Sequence, residues 1–130
     1  MKSKVFIVLS LTMLIAGAMS LYAHHGTGIS YDQDKQIEVK GTVTEFLWKN
    51  PHASLYLDVK DAEGKVSNYA VELNSPGVLT RQGWNRNVVK KGDEVVIKVH
   101  PSRANGPVGE CLNPCELTIN GKQPPKSDRN

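Results

Sequence analysis

Beyond residue 23 the 130-residue sequence has no second long apolar run, no glycine-rich phosphate loop, no internal repeat and no basic stripe interleaved with aromatics. The first absence leaves no later candidate for a membrane helix, which takes roughly 20 apolar residues. The missing glycine-rich loop removes phosphate cradling, and the missing basic stripe argues against nucleic acid as a partner. Charge agrees with this. Lys2 and Lys4 precede every acid, and the remaining 14 Lys and Arg face 13 Asp and Glu, a balance of +1. Catalytic patterns are also lacking. Ser54 and His52 fall on one side of a strand, but no acid is evidently placed to orient the imidazole and no oxyanion loop stands out, so the expectation is a protein that is not an enzyme.

What is present begins with an export signal. Lys2 and Lys4 lead into an uncharged apolar stretch over residues 5–18, short of a membrane span, and Leu21-Tyr22-Ala23 resembles a cleavage region. The reading assigns residues 1–23 to a signal peptide cut after Ala23, with a cut after Ser20 or an uncleaved anchor as alternatives. No cysteine lies near the cut, which excludes a lipoprotein. The expected location is the periplasm, an oxidising space.

The rest, residues 24–120, reads as one all-β domain. Residues 37–43 alternate apolar and polar, and Phe46 and Trp48 continue with the parity switched, which predicts a bulge near Glu45. Residues 53–60 alternate again, a hairpin loop with Gly64 follows, and residues 66–73 make a third strand with Tyr69, Val71 and Leu73 inward. Ser75 as N-cap and Pro76 at the first helical position open a short helix that Gly83 closes. A fourth strand runs from Glu94 to His100, a loop spans residues 101–109, and the last strand covers residues 115–120. Residues 121–130 read as a polar, disordered tail. Five strands with one short helix between strands 3 and 4 is the order of a small OB-like Greek-key barrel.

Several short motifs occur in order: His24-His25, Gly41-Thr42-Val43, Trp48-Lys49-Asn50-Pro51-His52, Asn74-Ser75-Pro76, Arg81-Gln82-Gly83-Trp84, Lys91-Gly92-Asp93 and His100-Pro101-Ser102-Arg103. Together they resemble domain of unknown function family 6152, short exported bacterial proteins, over residues 24–120. The resemblance implies an exported barrel-like domain without an established activity and supplies no catalytic residues. Cys111 and Cys115 have no place in that pattern.

Candidate chemistry rests on four histidines and two cysteines. A cut after Ala23 exposes a terminal amine beside the His24 imidazole, a chelate that favours Cu(II), with His25 as a further ligand; the alternative is a polar start that binds nothing. His52 is either a turn histidine or part of a binding face. In an OB barrel the topology predicts that His52 and His100 lie at opposite ends, about 30 Å apart along a strand of about ten residues. Cys111 and Cys115 fall at the His100 end, so one copper site is drawn from His24, His25, His100, Cys111 and Cys115. The cysteines are read either as a disulfide or as Cu(I) thiolates. The competing reading is a module that binds an envelope protein or small ligand on a face around Trp48, His52, Tyr56 and Tyr69, with Asn50, Arg81, Trp84 and Arg103 as further contacts.

Overall fold

A computed structural model describes residues 27–112 and 114–127. The signal segment, His24 and His25 lie outside the described residues. The elements are α1 (Thr27–Ser30), β1 (Ile37–Leu47), β2 (Ser54–Lys60), β3 (Val66–Glu72), α2 (Pro76–Arg81), β4 (Glu94–Pro101), β5 (Val108–Glu110) and β6 (Leu117–Ile119). Among the described residues no helix is long and apolar enough to cross a membrane.

Alternation places the core. Val39 and Val43 of β1, Leu55 and Leu57 of β2, Val71 of β3, and Val95, Ile97 and Val99 of β4 are buried together, as a period-2 pattern on a half-buried strand requires. Leu79 from α2, with Trp84, Val89 and Leu117, completes the same cluster. The bulge expected near Glu45 is present: Val43 pairs with Leu57 but Glu45 pairs with Tyr56, leaving Thr44 as the extra residue. That one-residue slip turns Phe46 to the side of its partner Leu55, in the core.

Strands close in the order β1-β2-β3-β5-β4, with β4 returning to β1, all pairs antiparallel except β3 with β5. This is the closed five-stranded all-β barrel anticipated from the element order. β1 serves both neighbours, its first half on β4 and its second on β2. At the crossover stands Gly41, where a Cβ would lie 2.6 Å from the Asp58 carbonyl oxygen. Ser75 caps α2 by accepting from the Val78 amide, with Pro76 in the first turn.

Three expectations are corrected. The fifth strand is split: β5 pairs with β3 and the end of β4, whereas β6 pairs with residues 95–97 of β4. Residues 108–110 look like loop because Val-Gly-Glu has no alternation; partners on both sides make them a strand. Residues 121–127 of the expected disordered tail are placed against the barrel, where Ser127 donates its amide to the Gln82 carbonyl. Gly83, at φ 98°, permits this, since a Cβ there would meet the Lys126 carbonyl carbon at 2.7 Å. Residues 128–130 lie outside the described residues.

The third correction concerns His52 and His100. Closure through β3 and β5 puts Ser54, Glu72, Glu110 and His100 in one cross-strand row. The His52 ring touches Glu72, two strand spacings or about 10 Å from the His100 position. The 30 Å expectation followed β1 from end to end and ignored the stagger that closing a barrel imposes.

Candidate functional site

Residues paired across strands project from the same face, so Ser54, Glu72, Glu110 and His100 all leave the outer surface of the barrel. Residues 31–35 pass over this row on the way to β1. Tyr31 bridges to Ser102, the Asp32 amide donates to the Pro101 carbonyl, and Arg103 donates its amide to Ser30. From this strap the Tyr31 hydroxyl donates to Glu72 Oε2 at 2.8 Å, Gln33 Nε2 donates to Glu110 Oε1, and the Lys35 carbonyl accepts from His100 Nδ1 at 2.8 Å. The outer row is thereby covered in part by the chain's own amino-terminal segment.

At the open end of the row lies a cleft of ≈ 240 Å³, lined among others by Tyr31, Pro51, His52, Ser54, Tyr56 and Glu72. His52 Nδ1 contacts Glu72 Oε1, so one carboxylate is shared by an imidazole and a phenol. This contact supplies the acid beside His52 that the sequence does not reveal. Ser54 lines the same cleft, but no hydrogen bond joins it to His52. Glu110, beside Glu72, is only 1% exposed, and among the described residues its Oε2 has no hydrogen-bond partner.

Burial pushes the Tyr31 hydroxyl well above its ordinary value of 10.0, with the Glu72 hydrogen bond and the charges of Glu72 and Glu110 adding to the effect. Tyr31 is therefore a neutral donor at physiological pH. Burial raises Tyr69 as well. Tyr69 pairs with Leu57 and packs against the core, so it does not share the outer face with Tyr56.

Of the other expected contacts, Trp48 packs edge-on against Phe46 with ring centroids 5.8 Å apart, and Trp84 is buried in the core. Asn50 is exposed just before the cleft residue Pro51. Arg103 stands 3.6 Å from Asp32, and Arg81 borders a second cavity beneath the carboxyl-terminal segment, ≈ 550 Å³ in volume. Cys111 and Cys115 are joined by a disulfide with their Cα atoms 5.1 Å apart, and in this state offer no thiolates to a metal. Among the described residues no three His, Cys, Asp or Glu side chains are grouped so as to hold a metal ion.

The residues missed in the sequence are Tyr31, Gln33, Glu72 and Glu110. Glu72 was visible only as a polar position of β3, and the other three carried no local signal, because their partners are 41 and 77 residues away.

No curated protein and no solved structure matches the chain. Residues 12–110 match the family described as Family of unknown function (DUF6152), a match that stops just before Cys111. The protein, an outer-face cleft on a five-stranded barrel, belongs to that family.

Proposed function

We propose that this protein is an exported, non-catalytic binding module that receives an envelope partner in the cleft between Pro51, His52, Tyr56 and Glu72. The observation that supports this best is the shared carboxylate: Glu72 is held by His52 on one side and Tyr31 on the other, beside aromatic walls. Binding clefts combine a few fixed polar groups with apolar and aromatic surface in this way. Between β2 and β3 this surface is also where OB-type barrels commonly take ligands. A photo-crosslinking side chain at position 56, in cells, should give a discrete adduct that position 40 does not give. Ser54→Trp, which fills the cleft, should abolish it. Equal adducts from both positions, or persistence in Ser54→Trp, overturn the reading.

Copper held at the amino terminus by His24 and His25 is a second reading. It is supported by the contacts of residues 30–35 beside the end of β4, where Asp32 bonds to Pro101 and His100 Nδ1 donates to the Lys35 carbonyl. Protein isolated from the periplasm with a carboxyl-terminal tag should then carry one copper ion, and an added amino-terminal Ala should remove it by displacing the amine from the His24 ring. Metal-free protein, or binding indifferent to the extension, rejects it. His52→Ala cannot serve as a distant control, since His52 touches Glu72 in the row that ends at His100.

A further inference from the structure

The cavity beneath the carboxyl-terminal segment, ≈ 550 Å³ in volume, has the size of a small-ligand site, roughly 300–1,000 Å³. Leu73, Leu79, Trp84 and the Cys111–Cys115 disulfide line it from the barrel, and Pro124 and Pro125 line it from the segment. That segment is fastened at its two ends. Ile119 and Lys122 exchange two backbone hydrogen bonds around a turn at Asn120-Gly121, and the Ser127 amide donates to the Gln82 carbonyl beside Gly83. Among the described residues, residues 123–126 make no backbone hydrogen bond, so they cross the cavity as a strap. The charge here is positive. Arg81, Glu116 and Lys126 are the ionised side chains of the lining. Glu116 is paired with Lys98 at 2.6 Å, whereas among the described residues Arg81 and Lys126 have no ion pair. The two segments that carry these cations, residues 73–92 and 117–127, hold six bases and no acid, in a chain whose balance beyond residue 23 is +1. A cleft lined by one sign of charge over low-dielectric walls concentrates ions of the opposite sign, and arginine matches a carboxylate with two parallel N–H donors.

We propose that this cavity binds a small apolar carboxylate, with its hydrocarbon body among Leu79, Trp84 and the two prolines and its anionic group held by Arg81 and Lys126. Both cationic side chains are exposed, so each reaches a bound anion without breaking an ion pair. Lys126 is carried by the strap itself, so the ligand and residues 123–127 hold one another in place. The site is separate from the Glu72 cleft and does not depend on the partner proposed there.

The test is a titration of the full mature chain, labelled with 15N, by octanoate, octylammonium, octanol and acetate. Octanoate should shift the amides of Leu79, Gln82, Cys115 and Lys126 and the Trp84 indole N–H, and leave Ser54, Tyr56 and Glu72 unmoved. Octylammonium and octanol should bind at least about tenfold more weakly, the loss of one charge-assisted contact, and acetate should be weaker still. Arg81→Gln combined with Lys126→Gln should weaken octanoate by a similar factor, with unchanged spectral dispersion showing that the variant folds. Lys60→Gln, at the end of β2 and outside the cavity, should have no effect. Octanol or octylammonium binding as well as octanoate overturns the proposal, as does wild-type affinity in the double variant. Acetate binding as tightly as octanoate overturns it by reducing the site to a bare anion contact. Shifts confined to Ser54, Tyr56 and Glu72 overturn it by placing the ligand in the outer cleft, and an octanoate titration without shifts overturns it outright; neither result bears on the position-56 adduct that tests the binding module.

Discussion

Glu110 illustrates how residues set the energetics here. Among the described residues its carboxyl group, 1% exposed, is bonded through Oε1 to Gln33 and loses hydration at Oε2 without a replacing partner. Removing Gln33 strands this carboxylate, whereas removing Glu110 frees only an exposed amide that water can meet. Gln33→Ala is expected to cost about 1–3 kcal/mol in denaturant unfolding, and Glu110→Ala should cost less because it also removes the under-satisfied buried carboxyl. Tyr31 gives a pH signature. Its folded pKa is raised, so the neutral hydroxyl is favoured by folding; the associated stability is complete below the unfolded value near 10 and is lost as pH rises through the folded value. Tyr69 is shifted in the same direction. Urea midpoints measured from about pH 9 to 11 should therefore fall, and Tyr31→Phe should flatten that fall. An identical alkaline loss in Tyr31→Phe would mean that Tyr31 contributes nothing to it.

At the scale of elements, the divided fifth strand is the main departure from a plain barrel. The Cys111–Cys115 disulfide closes the turn between β5 and β6. Thiol counting on protein isolated without reductant should find no free thiol before reduction and two after; two at the outset would revive the thiolate reading. β5 is admitted by Gly109, where a Cβ would meet Val99 Cγ2 at 2.8 Å. The helix depends on local chemistry instead. Ser75→Ala deletes the cap that holds the Val78 amide and should cost about 0.5–2 kcal/mol, measurable as a lowered Tm.

For the whole molecule, closure depends on β1 passing from β4 to β2 at Gly41. Gly41→Ala sets a Cβ against the backbone oxygen of Asp58, which cannot swing aside as a side chain would. We expect a loss of about 1–3 kcal/mol, the usual range for overpacking, in thermal or urea unfolding. Wild-type stability in this variant would show that the two halves of the barrel close more loosely than the strand pairing implies.

Strands β1 to β4, the parity switch at the bulge, the hairpin at Gly64 and the capped helix were legible in the order of residues alone. Each follows from side-chain periodicity or backbone preference over fewer than about a dozen neighbouring residues, where local physics is decisive. That residues 108–110 form a strand, that residues 121–127 lie on the barrel at Gly83, and that Tyr31, His52, Glu72 and Glu110 cluster came from folding in three dimensions. These features depend on the stagger of a closed barrel and on which segments cross its outer face. A strand's alternation says which residues face out, but not which distant carboxylate stands beside them once β3 and β5 pair.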